Sequence, residues 1–198
     1  MTITIKPGEV LGRPLRNGHA ADWNVVVTLA EGAYREARRI LSKWGVVRRT
    51  NYYNVLTVKV ANAAVFRREF EIAVAESPGL LNFLSHVVPA EATFDFGNAT
   101  EFEARAREIA VAWCDKLAGK RFHVRLHRRG FKGVLSTPHE ERFLDEALLT
   151  KLEEKGAPGR IGFDDPDAVI QIETVDGRSG MSLWTRDDLR RCPFLGAT

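Results

Sequence analysis

The run Lys120-Arg121-Phe122-His123-Val124-Arg125-Leu126-His127-Arg128-Arg129-Gly130-Phe131-Lys132 holds six Lys or Arg, two His and no acid. At strand period, Phe122, Val124 and Leu126 point one way, while Arg121, His123, Arg125, His127 and Arg129 point the other. One face would pack on a core and the other would be a row of cations and potential cations. A polyanion suits such a row, because neutralising phosphates releases condensed counterions. A half-buried strand with a solvated face carries the same pattern, so the flanking segments must decide.

Downstream, Thr137-Pro138-His139-Glu140 fits a capping box with Pro at the first helical position. Phe143, Leu144, Ala147, Leu148 and Leu152 give that helix its buried face, and Gly156-Ala157-Pro158-Gly159 ends it. Residues 168–175 are a β-branched strand, Asp176-Gly177 a turn, and Met181-Ser182-Leu183-Trp184 the returning arm of a hairpin. A short helix is expected after Thr185. Upstream, Glu101 to Lys116 is amphipathic, with Phe102, Ala106, Ile109, Ala110, Trp113 and Leu117 in one stripe. Gly119 stops it, and 94–100 reads as a linker.

The chain before that linker has its own order. Residues 23–29 are a buried strand, and Gly32 to Ser42 a helix with Arg35, Arg38 and Arg39 on the solvent side. Gly45 reads as its left-handed cap. Val46-Val47 opens a second strand, 51–54 is a turn, and 55–60 is a third strand. Asn62 caps a second helix closed by Ser77-Pro78-Gly79, and 86–90 is a short fourth strand in which Pro89 favours an edge. The order β-α-β-β-α-β is the ferredoxin-like split motif. The expected fold class is therefore α+β: an N-terminal arm at 1–21, a ferredoxin-like βαββαβ domain at 22–93, and an α/β domain at 94–198.

The 198 residues carry a net charge of +3. Residues 1–100 have 12 Lys/Arg against 9 Asp/Glu, and residues 101–198 have 17 against 17. The second half is neutral yet contains the most cationic run, so its charge is segregated, and segregation speaks for a binding face. Cys114 and Cys192 match no zinc or redox spacing. No signal peptide or membrane-length apolar run is visible, which sets the expectation of a cytoplasmic protein with no membrane partner.

Little in the sequence points to chemistry. His123 and His127 share a strand face, but the arginines beside them oppose a divalent cation, so no metal site is expected. Asp164-Asp165-Pro166-Asp167 could serve acid–base work, yet acids before a Pro are commonly turn formers. Glu140-Glu141 sits where acids complement the helix macrodipole. No dinucleotide, phosphate-loop or nucleophile-elbow pattern appears. No catalytic residue or cofactor is expected. Phe131 and Trp184 are candidates for stacking on unpaired bases, or for the core.

The second half resembles a THUMP domain. The resemblance rests on residues 122–130, on the helix start at 136–141 and on 164–173, in that order and spacing. It implies tRNA binding at the acceptor stem and 3′ end, shared with a preceding ferredoxin-like domain. Catalytic domains of that family occupy further residues, so the resemblance implies the stand-alone type, similar to adaptors that present tRNA to an acetyltransferase making N4-acetylcytidine. Arg125 and Arg128-Arg129 carry over from the motif as RNA contacts, and Lys120, Arg121, His127 and Lys132 join them on charge and face. Two alternatives remain: a small enzyme acting on an anionic ligand, using the arginines and the Asp164–Asp167 acids, or a protein-interaction scaffold.

Overall fold

The computed structural model describes residues 22–196, so the expected arm at 1–21 lies outside the described residues. The first sheet holds β1 (Val25–Leu29), β2 (Gly45–Arg49), β3 (Val55–Val60) and β4 (Leu84–Pro89) in the order β2-β3-β1-β4. Every neighbouring pair is antiparallel. Helices α1 (Tyr34–Leu41) and α2 (Ala63–Glu76) supply Ala37, Ile40, Leu41, Phe66, Phe70 and Val74 to its core. Asn62 caps α2 by accepting from the Val65 N–H at 3.0 Å. Gly45 is not the left-handed cap expected of it. It begins β2, and a Cβ there would stand 2.2 Å from the Lys59 carbonyl oxygen, so glycine allows the close pairing of β2 with β3.

The second sheet runs β5-β9-β8-β6-β7. It comprises β5 (Ala92–Asp95), β6 (Arg121–His127), β7 (Arg160–Ile161), β8 (Ala168–Val175) and β9 (Arg178–Thr185). β6 lies parallel to β8, and β8 pairs antiparallel with β9 through the turn at Asp176. The expected linker at 94–100 begins inside a strand and ends inside a helix: β5 runs through Asp95 and pairs with β9, the next helix starts at Ala99, and Phe94 packs beside Phe96 and Phe102. Strand β7 has no signature in the sequence, being two residues long.

Helices α3 (Ala99–Ala112), α4 (Cys114–Leu117) and α5 (Thr137–Glu154) follow the same chain. With them Phe102, Leu117, Phe122, Val124, Leu126, Leu144, Leu148 and Leu152 form one core on one side of the second sheet. Each such side chain contributes about 1.5–3 kcal/mol on burial. The predicted capping box does not form: α5 starts at Thr137, its N-cap is Ser136, and the Ser136 side chain makes no capping bond. At the other end of the chain Thr185 and Asp188 do form a capping box on α6 (Arg186–Arg191).

The opposite side of the second sheet faces the first domain. Val169 and Trp184 join the first core, together with Cys192, Phe194 and Leu195, and Phe194 meets Phe70 edge-on at 4.9 Å. The last segment thus packs back on the ferredoxin-like sheet. No helix among the described residues is long and apolar enough to cross a membrane.

Candidate nucleic-acid interface

β6 is central for Arg121 and Phe122 and an edge beyond them, because β7 pairs with only those two residues. Acids of α5 cover that edge. Asp145 accepts from the Val124 N–H at 3.0 Å, and Glu141 accepts from the Leu126 N–H at 2.7 Å, which removes the donors a second chain would use. Asp145 is 8% exposed, and burial pushes its pKa up to about 7.

Phe122, Val124 and Leu126 are buried, as the alternation requires, but the other face is not a row of free cations. Arg121 lies 3.7 Å from Asp165 and 3.9 Å from Asp167, and donates to the Asp165 carbonyl at 3.0 Å. Arg186 holds the same two acids at 3.1 and 2.8 Å. Asp167 also accepts the Arg121 backbone N–H at 2.8 Å. These acids organise a turn in which Arg121 and Arg186 are already engaged.

His123 is buried, with Nδ1 3.1 Å from the Gly162 carbonyl and its ring 5.0 Å from Phe163. Burial lowers its pKa, so it is neutral at pH 7 and not a cation. The parallel register sets His127 opposite Glu173. His127 Nδ1 stands 2.7 Å from Glu173 Oε1, and Arg129 pairs with the other oxygen. Gln171 Nε2 donates to the same carboxylate, and Arg129 reaches Thr28 of the first sheet at 3.3 Å. Glu173 is 3% exposed. Its burial opposes ionisation, but the His127 bond and the Arg129 charge prevail and lower its pKa. Arg121, His127 and Arg129 therefore have internal partners.

The remaining candidates, Lys120, Arg125, Arg128 and Lys132, have no carboxylate partner among the described residues. Arg125 and Lys132 are exposed. Arg128 donates to the Gly130 carbonyl, which folds the loop after β6 on itself. Gly130 has φ +100°, and a Cβ there would lie 2.8 Å from the Tyr52 hydroxyl and 3.1 Å from Asp176 Cα. Tyr52, in the β2–β3 turn, donates to Asp176 at 2.6 Å. Two loops from separate sheets therefore meet at one seam.

The seam has cations on its other side. Arg48 and Arg49 end β2 and are exposed, and the Arg49 guanidinium lies 3.8 Å from the centre of the Tyr34 ring. A cleft of about 110 Å³ between the domains is lined by Trp23, Arg49, Asn51 and Asp176, among others. Arg35, Arg38 and Lys43 are exposed nearby in sequence. Helical spacing puts the α1 arginines on a solvated face and gives no sign of Arg48 and Arg49, whose link to the β6 loop depends on the Tyr52 contact.

Of the expected stacking aromatics, Trp184 is buried and Phe131 half-buried. Trp184 is 2% exposed and donates to Gln171 at 2.8 Å, and Phe131 packs on Phe96 at 4.8 Å. Among the described residues the most open rings are Tyr53, 78% exposed, and Phe163, 70% exposed. Phe163 had a legible signal: it stands alone between Gly162 and an acidic Pro-containing turn, where no core pattern continues.

No family model matches the chain, and no curated protein matches it. Solved structures do. PH1313 from Pyrococcus horikoshii Ot3 aligns at a TM-score of 0.56 and 12% identity, over 83% of this chain and 55% of that one. TrmN from Thermus thermophilus aligns at 0.54 and 16%, over 81% of this chain and 44% of that one. A 4-thiouridine synthetase, solved as an RNA complex with bound ATP, aligns at 0.50 and 12%, over 82% and 41%. The chain spans about half the length of these structures or less. At such identities the likeness is one of fold alone, a shared α+β architecture.

Proposed function

We propose that this chain is a tRNA-binding protein that grips the acceptor stem and single-stranded 3′ end across the seam between its two sheets. In this reading it positions the RNA and performs no chemistry itself. It presents the bound tRNA to a separate modifying enzyme, such as one forming N4-acetylcytidine. The observation that carries the reading is the Tyr52–Asp176 contact, because it joins the turn after the strand end that carries Arg48 and Arg49 to the loops beside Arg128 and Lys132. A band of cations without carboxylate partners that crosses two domains suits an extended phosphate backbone better than a small anion. The RNA bound to one of the structural neighbours, the 4-thiouridine synthetase, supports the same choice of partner.

Phosphate contacts fix position without reading sequence. Selectivity in this reading comes from helix shape and from unpaired bases, for which Tyr53 and Phe163 offer open rings. The test compares intact tRNA with the same tRNA trimmed of its single-stranded 3′ end and with a DNA duplex of equal charge. Preference for the intact tRNA is expected. Equal affinity for all three would overturn the assignment of partner and leave only non-specific charge. For the adaptor role, the test is co-purification of a modifying enzyme that depends on the bound tRNA.

A further inference from the structure

The helices over the second sheet meet at a cluster that the cationic seam does not use. Glu103 of α3, with His139 and Glu140 in the first turn of α5, brings ligand atoms within 4.8 Å of one another. His139 Nε2 lies 3.5 Å from Glu103 Oε1. Glu140 is 1% exposed, and its Oε2 has no hydrogen-bond partner among the described residues. The helix macrodipole accounts for an acid at this position. It does not account for a buried carboxylate oxygen with nothing to accept from, which is among the costlier things a fold can contain.

Charge makes the same point. Two carboxylates converge here, and among the described residues neither has a Lys or Arg partner; the His139 imidazole is the one basic group beside them. The pair must gain a proton or a cation to be held together.

We propose that Glu103, His139 and Glu140 bind a divalent transition-metal ion, zinc foremost, which ties α3 to the start of α5. Carboxylate oxygens combined with an imidazole nitrogen suit zinc and its neighbours, whereas calcium and magnesium take oxygen ligands. Three protein ligands leave one tetrahedral position for water. The ion would brace the point where the loop carrying Lys132 enters α5. The sequence offered no hint of this, since Glu103 lies far from His139 along the chain and only α3–α5 packing joins them.

The test uses the full chain, stripped with a chelator. Zinc is titrated by calorimetry, and cobalt(II) by its visible absorption. One equivalent of each is expected to bind, with the cobalt bands of a low-coordinate site. His139→Ala removes an exposed ligand that takes no part in the core, so the variant should fold, as circular dichroism will verify. It is expected to weaken zinc binding by about a hundredfold, at the upper end of what even supporting partners contribute. Glu103→Gln is expected to do the same. Absence of zinc binding by the unaltered chain, which a proton shared between the carboxyls would produce, overturns the proposal. Wild-type affinity in both variants, placing the ion elsewhere, also overturns it.

Discussion

The Tyr52 hydroxyl in the first sheet's β2–β3 turn donates a 2.6 Å hydrogen bond to Asp176 at the hairpin tip of the second. This bond, beside Gly130, joins the loops whose cations form the seam.

Tyr52→Phe should therefore loosen the seam at a modest cost, about 1 kcal/mol for the lost bond. It also carries a pH signature. Burial and the bond to Asp176 push Tyr52 up to about 12 from its ordinary 10.0. The folded state holds the proton more tightly, so the stabilisation is complete below about pH 10 and disappears as pH rises towards 12. Urea midpoints measured across that range should fall more steeply for the unaltered chain than for Tyr52→Phe.

Buried Glu173 pairs with both Arg129 and His127. Glu173→Gln leaves the partly buried Arg129 guanidinium without its counter-charge and should cost about 3 kcal/mol, the low end for breaking a buried pair, read from chemical denaturation. Because the Glu173 pKa is lowered on folding, its stabilisation is present above the ordinary value of 4.5 and is lost as pH falls through the folded value. The acid limb of the stability profile should flatten in the variant.

Asp145 shows the reverse sign. Its pKa is raised by burial from 3.8 to about 7, so ionising it in the fold is unfavourable and stability drains away between those values as pH rises. Asp145→Asn keeps an oxygen for the Val124 N–H while removing the charge. The variant should be more stable than the unaltered chain at pH 8 and gain nothing at pH 4, as thermal melts at the two pH values will show.

Much of this fold can be read from local pattern. The β-branched runs at Val55–Val60 and Ala168–Val175 are strands with the expected limits, and Asn62 caps α2 by its side chain. What escaped depends on distant partners. Strands β5 and β7 are too short to show a period and exist because β9 and β6 offer them edges. The Phe194 and Leu195 side chains give no local sign that they enter the first core.

The site divides in the same way. Alternation identified the buried side of β6. It could not show that Arg129 and His127 would find Glu173, because that acid comes into register only when β6 lies parallel to β8. A cationic run is a statement about charge in the chain, and the fold decides which of those charges reach solvent.

That division makes Arg121 a useful contrast. Arg121→Ala breaks its contacts with Asp165 and Asp167 and should shift stability by about 1 kcal/mol or less, while leaving tRNA affinity nearly unchanged. Exposed Arg125 should behave in the opposite way, with stability unaltered and affinity reduced. Melting curves and filter binding on the two single variants separate the roles.

The most direct test of the central claim is tRNA affinity across a salt series for the unaltered chain and for a variant combining Arg48→Glu, Arg125→Glu and Lys132→Glu. The seam account predicts weaker binding and a shallower dependence on salt, by about 0.7–0.9 in log–log slope for each phosphate contact removed. An unchanged dissociation constant and an unchanged slope would contradict it.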